Sequence, residues 1–240
     1  MMRMAELIGA SSEPLLSIKH GSSRLLVLNR PAARNALTRQ MRRDFPALLA
    51  AADADESAAA LILTGADPAF SAGVDLKERV AGAAPPVTPH PGDVLRAVRK
   101  PLIAAVNGAC VTGALEMALS CSFIIASSEA RFADTHARVG LVPRWGQTAL
   151  LPDAIGFRRA RQMMLSGEFI DARTAFEWGL VNEVVPHAEL IERCLALGDE
   201  IARAAAKSVA VQMRSSQASA AAALAAGLEA ERRAHLDWDA

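Results

Sequence analysis

Three stretches of the sequence have a continuous apolar run at their centre and are short enough to be single strands. They are AALILTG (59–65), KPLIAAVNG (100–108) and SFIIAS (122–127). Strands that are apolar on both faces are typical of a parallel sheet covered by helices on each side. A helical pattern, GALEMALSC, lies between the second and the third stretch. This alternation of strands and helices predicts an α/β fold with at least partly parallel strands.

The flanking segments suggest further elements. LLSIKHGSSRLLVLNRP (15–31) predicts two short strands joined by a Gly-Ser turn. Thr38 is a suitable N-cap for a helix over 38–55, in which Pro46 predicts a kink or a break. Residues 81–92 are rich in Pro and Gly and predict a flexible surface loop before the helix DVLRAVRK.

The composition changes after Pro186. The segments AELIERCLALGDEIARAAAKSVAVQM (188–213) and SQASAAAALAAGLEAERRAHL (216–236) are rich in alanine and predict helices. We therefore expect an α/β core over residues 1–186 and a helical region over residues 187–240.

Charge and cysteine content exclude several classes of protein. The 26 basic residues balance 26 acidic ones, which predicts neither a nucleic-acid partner nor an anionic membrane surface. The three cysteines have no CxxC or Cys/His spacing, which argues against a disulfide framework or a metal site. A reducing, cytoplasmic location fits this pattern best.

Neither a leader nor a membrane helix is expected. The N-terminal segment lacks the compact apolar core of a signal peptide. The most apolar span, 101–126, is interrupted by Asn107, Gly108 and Gly113, so a strand, a turn and a short helix explain it better than a membrane helix.

Two glycine-bearing loops follow buried strands: FSAGVD (70–75) and NGACVTGALE (107–116). Ligands of α/β sheets gather at the carboxyl ends of such strands, so the loops are candidate walls of one site. A helix that begins near Gly113 would also direct free N–H groups at an anionic group there. Ordinary turn geometry explains the glycines equally well, and neither loop matches a nucleotide-phosphate motif.

Glu116 is the only charged residue of the apolar helical segment that follows Gly113. An ionised carboxylate is costly to bury without a partner, and burial raises its pKa into the range that suits proton transfer. The alternatives are a pair with a neighbouring arginine or a carboxylate that faces solvent.

His136 lies about twenty residues after Glu116, whereas His20, His90, His187 and His235 lie in turns or polar surroundings that suggest no constellation. A triad of Ser71, His136 and Asp75 can be written down, but no GxSxG elbow surrounds any serine, so we disfavour it.

Taken together, five segments resemble the crotonase (enoyl-CoA hydratase/isomerase) superfamily, in order and with the expected spacing. They are NRPAARNAL, ILTGADPAFSAGVDLKE, KPLIAAVNGACVTGALEMALSCSFIIAS, ARFADTHARVGLVP and ARQMMLSGEFIDARTAFEWGLVNEVVP. The resemblance implies a core of ββα turns wound as a spiral and C-terminal helices that form a homotrimer or a dimer of trimers. It also implies an acyl-CoA thioester as ligand, with coenzyme A as part of the substrate and no other cofactor.

The resemblance further implies a role for individual residues. The backbone N–H groups of Val74 and Gly113 correspond to the family's oxyanion hole, and Glu116 corresponds to the first of two catalytic glutamates. The residues expected to bind the substrate's coenzyme A part are Arg34, Ala36, Ala72, Asp75, Leu76 and Lys77, of which Arg34 is a plausible phosphate contact.

The sequence departs from the family at two places. His136 stands where the second glutamate is expected, so a protonated His136 would have to supply the proton to the α-carbon. Asp134, two residues away, either orients His136 or points away from it. In PRWGQTALL, Arg144 and Trp145 stand where the family usually has a smaller, Gly-rich turn, and they narrow the acyl pocket, cover it or pack at the surface of the turn.

The sequence therefore predicts an enoyl-CoA hydratase that adds water to a 2,3-enoyl-CoA through an oxyanion-stabilised enolate. The absent glutamate weakens an isomerase more than a hydratase. Another reaction on the same fold (isomerase, hydrolase or decarboxylase) and a non-catalytic acyl-CoA binding protein remain as alternatives.

Overall fold

The structure is a computed structural model, and it describes residue 8, residues 11–78 and residues 87–239, with side chains up to residue 236. Ten strands form two sheets. The larger sheet has six strands in the order β1-β2-β3-β5-β7-β10, which are Leu15–His20, Ser23–Leu28, Ala60–Gly65, Leu102–Val106, Phe123–Ser127 and Glu183–Val185. All neighbours in it are parallel except β1 and β2.

The smaller sheet has four strands in the order β4-β6-β8-β9: Ala69–Ser71, Ala109–Val111, Arg131–Ala133 and Ile170–Asp171. Its strands β4, β6 and β8 follow β3, β5 and β7 of the larger sheet along the chain. The chain therefore alternates between two sheets as it winds, and a helix follows β6. This is the ββα spiral of the predicted fold, which is confirmed.

Eight helices complete the described part of the chain: α1 Arg39–Ala54, α2 Pro91–Arg96, α3 Gly113–Leu119, α4 Gln147–Ile155, α5 Phe157–Ser166, α6 Ala172–Trp178, α7 Leu190–Arg203 and α8 Ala206–Asp239. The helix α7 packs on the larger sheet, and its Leu190, Ile191 and Cys194 share one apolar cluster with Leu25 and Ile103. The division of the chain at residue 186 stays a prediction.

The apolar stretches of the sequence form the buried centre of the larger sheet. Every residue of β3 and β5 is buried. The two strands pair in register from Leu61 opposite Leu102 to Thr64 opposite Ala105. Alternate side chains enter two apolar clusters on opposite faces, because successive residues of a strand point to opposite sides. Burial on both faces is the reason that these strands lack polar alternation.

Three details of the predicted elements are wrong. The break at Pro46 is absent, because α1 continues through it and Met41, Phe45 and Leu49 bury one face on both sides of the proline; a kink there stays a prediction. The helix α2 begins at Pro91, inside the predicted loop, whose residues 81–86 lie outside the described residues. The C-terminal segments meet within one helix, α8, and the break lies earlier, where Ala204 is extended. No sequence signal marks this break.

Across the described ranges, we find no helix with the length and apolar character needed to cross a membrane.

Candidate active site

The two glycine-bearing loops are in contact. The strands β4 and β6 are parallel neighbours, and Ser71 at the end of β4 pairs with Cys110 of β6. Gly73 has a left-handed backbone with φ of +83°. A Cβ atom on Gly73 would lie 2.8 Å from the carbonyl oxygen of Val111 and 3.3 Å from the nitrogen of Gly113. Only glycine permits this close approach, which brings the segment before Val74 against the start of α3.

The backbone of Val74 is oriented by a single parallel bridge to Leu37. The N–H of Leu37 donates to the carbonyl of Gly73 at 2.8 Å, and the N–H of Asp75 donates to the carbonyl of Leu37 at 3.0 Å. Because alternate residues of an extended segment face opposite sides, the N–H of Val74 points away from Leu37. Among the described residues it has no backbone acceptor.

Gly113 supplies a second N–H group, as the first residue of α3. The first N–H groups of a helix lie outside its own hydrogen-bond ladder. The preceding Thr112 holds a positive φ of 58°, an unfavourable conformation for a residue with a branched side chain. The hydroxyl of Thr112 lies 2.6 Å from the hydroxyl of Thr135. The backbone N–H of Thr112 donates to the carbonyl of Ala133 at 2.9 Å. These bonds fix the strained turn.

Glu116 lies one turn further along α3 and is 1% exposed. Its Oε1 accepts hydrogen bonds from the N–H of Trp145 at 2.7 Å and of Gln147 at 3.2 Å. Burial raises the pKa of Glu116 to about 7, against the opposing effects of His136 and of these two N–H groups. The arginine-paired and solvent-facing alternatives for Glu116 are therefore wrong.

His136 faces the carboxylate of Glu116, with 3.6 Å between its Nε2 and Oε2 of the glutamate. On its other side, Nδ1 lies 2.6 Å from Oδ1 of Asp134, which also accepts the backbone N–H of His136 at 3.0 Å. Burial opposes the charged imidazolium, but the hydrogen bond to Asp134 and the charges of Glu116 and Asp134 outweigh it, so the pKa of His136 is raised. The expected orientation by Asp134 is thus present.

The disfavoured triad is not assembled. The hydroxyl of Ser71 donates to the carbonyl of Asn35 at 2.7 Å, and the carboxylate of Asp75 pairs with Arg30 at 3.1 Å. His136 has Asp134 as its carboxylate partner instead.

The predicted substrate-binding residues lie together beside the Val74 loop: Arg34, Ala36, Ala72, Asp75, Leu76 and Lys77. The carbonyl of Arg34 accepts the N–H of Ala72 at 2.9 Å, and the side chain of Arg34 is exposed. Leu76 and Lys77 are exposed on a short turn, whose start is capped by Asp75. Their contact with coenzyme A stays a prediction.

Trp145 is buried, so its predicted packing at the surface of the turn is wrong. A Cβ atom on Gly113 would lie 2.7 Å from Cζ3 of the indole, which shows that the ring rests directly on Gly113. Arg144 is half-buried, with one guanidinium nitrogen 3.2 Å from Nδ1 of His235. The indole therefore fills space beside the start of α3.

Two groups of residues were missed in the sequence. Glu231 of α8 is buried next to the Trp145 segment, in a stretch that reads as a solvated helix. His187 lies 3.0 Å from the hydroxyl of Ser127 and 3.3 Å from Asp67, contrary to the expectation of no constellation. Because Ser127 is fully buried, this second group offers no accessible nucleophile.

The described residues contain no group of three metal-ligating side chains. Around Glu116, the ionisable groups are three carboxylates, those of Glu116, Asp134 and Glu231, and the imidazole of His136. The pair of Glu116 and His136 is suited to moving protons between positions a few ångströms apart.

Comparison with known proteins places this geometry in a family. The sequence model of the enoyl-CoA hydratase/isomerase family matches residues 21–239. A probable enoyl-CoA hydratase of Rhizobium meliloti is 37% identical, over 93% of this chain and 88% of the relative. The 2,3-dehydroadipyl-CoA hydratase of Escherichia coli is 36% identical, over 96% and 89%.

Solved structures agree with the sequence relatives. The crystal structure of an enoyl-CoA hydratase from Mycobacterium avium superimposes with a TM-score of 0.88 at 44% identity, over 95% of this chain and 97% of the other. The resemblance found in the sequence is confirmed, and the chain belongs to the enoyl-CoA hydratase/isomerase family, the crotonase superfamily.

Proposed function

We propose that this chain is an enoyl-CoA hydratase, a hydro-lyase that adds water across the 2,3 double bond of an acyl-CoA thioester. The observation that carries the proposal is the contact between the buried carboxylate of Glu116 and the imidazole of His136. One group accepts a proton and the other supplies one, as addition of water requires. The printed names of the Rhizobium meliloti and Escherichia coli relatives, both hydratases, support the reaction type.

The thioester oxygen would be held by the N–H groups of Val74 and Gly113. Both groups are directed by rigid backbone, one by the Leu37 bridge and the other by the start of α3. Such fixed donors stabilise charge that develops on oxygen in the transition state, and loss of one typically costs about 3–4 kcal/mol.

The proton transfers balance within the pair. Glu116 as carboxylate removes a proton from water while the water oxygen forms a bond to C3. The electron pair of the double bond moves toward C1, and an enolate forms at the held oxygen. His136 as imidazolium then donates its Nε2 proton to C2, and the enolate collapses to the thioester. Transfer of a proton from Glu116 to His136, across the 3.6 Å between them, restores the starting state.

The remaining assignments are also proposals. The substrate's coenzyme A part would lie along Arg34, Ala36, Ala72, Asp75, Leu76 and Lys77, with no separate cofactor. Trp145 would limit the acyl pocket, because its ring occupies space against Gly113. Assembly into a trimer or a dimer of trimers, through the C-terminal helices, is part of the proposal. A cytoplasmic location is supported by the free thiols of Cys110, Cys121 and Cys194.

The test is a steady-state hydration assay with crotonyl-CoA and longer 2-enoyl-CoAs. We expect hydration by the wild type and a fall in kcat of about 10²–10⁴-fold in Glu116→Gln. The glutamine oxygen can still accept from Trp145 and Gln147, so the fold should be retained. Absence of hydration at every chain length contradicts the proposal. Product analysis would then separate another acyl-CoA reaction from binding without turnover.

A further inference from the structure

Four consecutive backbone N–H groups, those of residues 145–148, donate alternately to two buried carboxylates. Glu116 accepts from Trp145 and Gln147. Glu231 accepts from Gly146 at 2.7 Å through Oε1, and from the N–H of Thr148 at 2.7 Å through Oε2. The hydroxyl of Thr148 adds a third bond to Glu231 at 2.6 Å. The segment is therefore held from two sides.

This arrangement satisfies donors that a helix leaves unpaired. The helix α4 begins at Gln147, and its N-cap Gly146 has φ of +112°. N–H groups at a helix start lie outside the helical ladder and favour negative charge. The two carboxylates supply that charge, one from α3 and one from α8.

The position of Glu231 is itself fixed by close packing of α8 on α4. A Cβ atom on Gly227 would lie 3.0 Å from Cβ of Ala149. A Cβ atom on Gly146 would lie 3.2 Å from a methyl group of Leu228. Since these contacts lie about one helical turn before Glu231, they leave its carboxylate little freedom to move.

We propose that Glu231 is a positioning residue for the reaction: by holding residues 145–148 from the side of α8, it fixes the carboxylate of Glu116 against His136 and the indole of Trp145 against Gly113. The inference rests on the proposed function, because it takes Glu116 as the base. Without the Glu231 carboxylate, the buried N–H of Gly146 would lose its acceptor and the N–H of Thr148 its partner, and the segment would have to shift.

Glu231 also acts through its charge. The ionisable groups that face Glu116 are His136 and Glu231, with Asp134 behind His136; Arg96 of α2 donates to the carbonyl of Trp145 at 2.7 Å. Burial raises the pKa of Glu116, and the negative charge of Glu231 adds to this increase. Removal of the charge should therefore lower the pKa of Glu116, whereas displacement of the N–H groups of Trp145 and Gln147 alone would raise it.

The experiment compares Glu231→Gln with Glu229→Gln, a control two residues away on the same helix. Glu229 pairs with Arg232 and Arg233 outside the site. Two quantities are measured: kcat for crotonyl-CoA, and the titration midpoint of the infrared carbonyl band that disappears in Glu116→Gln. For Glu231→Gln we expect a 10- to 100-fold fall in kcat, because small displacements of reacting groups cost about 10²-fold. We also expect a lower midpoint. The control should retain both wild-type values.

An unchanged midpoint in Glu231→Gln would overturn the inference, whatever happens to kcat. If that variant does not fold, Glu231→Asp withdraws the carboxylate by one methylene group. It should show a smaller change in the same direction, and wild-type values for both quantities would equally overturn the inference. The infrared band reports on Glu116 without turnover, so a wild type inactive in hydration would count against the proposed function alone.

Discussion

His136 replaces the second of the two glutamates that the resemblance implies, and this replacement changes the chemistry available to the site. A second glutamate would place two carboxylates side by side, whereas His136 gives Glu116 a partner of opposite charge. Asp134, which is fully buried, turns the imidazole so that Nε2 faces Glu116. In the proposed reaction the carboxylate of Glu116 and the imidazolium of His136 must exist together. Activity should therefore rise with pH as Glu116 ionises and fall as His136 loses its proton.

Asp134→Asn should move the alkaline limb of this profile to lower pH. The charge of Asp134 raises the pKa of His136 together with the charges of Glu116 and Glu231, so its loss lowers this pKa by weakening the opposition to burial. The amide oxygen of the new side chain can still accept a hydrogen bond from the imidazole. Activity at low pH should therefore fall less than activity at high pH. The measurement is kcat/KM for crotonyl-CoA from pH 5 to 10.

Asp44→Asn is the matched control, because Asp44 lies exposed on α1 and contacts Gln40. Its profile should match that of the wild type. An alkaline limb that stays in place in Asp134→Asn would contradict the role given to this residue.

The sequence identifies only some of the residues of the site. Glu116 could be singled out because it is one carboxylate in an apolar segment. His136 gained meaning only from its register in the resemblance. Glu231 carries no signal, since its neighbours are charged and it is buried only because α8 folds back onto α4.

The connection from β4 to the 3-10 turn that begins at Leu76 depends on one residue, Gly73. Gly73 reverses the chain with a positive φ and touches the strand β6 through Val111. A residue with a Cβ atom would disfavour both the positive φ of Gly73 and its close approach to Val111. The position of the loop therefore depends on glycine at this residue.

Gly73→Ala should reduce the free energy of unfolding by about 1–3 kcal/mol through backbone strain, with a further loss from the 2.8 Å approach to the Val111 carbonyl. For a chain of this size each kcal/mol lowers Tm by about 2–4 °C. Thermal unfolding followed by circular dichroism measures the change.

Gly140→Ala separates the two causes. Gly140 also has a left-handed backbone, with φ of +62°, but a Cβ there would meet nothing within 4 Å. Gly73→Ala should be the more destabilising variant, and equal losses would show that the approach to Val111 has no cost of its own.

The predicted strands were the more reliable elements, and physical reasons explain the difference. Burial on both faces leaves a continuous apolar run, as in β3 and β5. The ends of helices depend on distant packing instead. The helix α1 continues through Pro46 because the core holds both halves, and the break after α7 falls among alanines that favour helix everywhere.

Considered as a whole, a single chain leaves much apolar surface uncovered. Most residues of the 34-residue helix α8 are exposed, among them Val211. Leu165 on α5 is 77% exposed, and Phe157 and Phe176 are exposed on α5 and α6. A contiguous apolar patch marks an interaction face, whereas singly exposed residues do not. The homotrimer, or dimer of trimers, in which the C-terminal helices take part stays a prediction, with these side chains as candidate contacts.

Analytical ultracentrifugation should find particles of three or six times the 25.3 kDa mass of the chain. Val211→Glu should shift the population toward single chains, because burying an unpaired carboxylate in an interface costs several kcal/mol. Gln212→Glu, an exposed neighbour on the same helix, adds the same charge and should leave the mass unchanged. A wild type that sediments as single chains at micromolar concentration would contradict the predicted assembly.

The contact between Glu116 and His136 has one further consequence for the proposed enzyme. The carboxylate with the imidazolium and the carboxylic acid with the neutral imidazole differ only in the position of one proton, and they carry the same net charge. The first state is the one that hydration starts from, and the second is the one that loss of water starts from. Neither state adds or removes charge in the buried site. The site therefore serves both directions of the reaction, and the relative concentrations of the two thioesters decide which direction prevails.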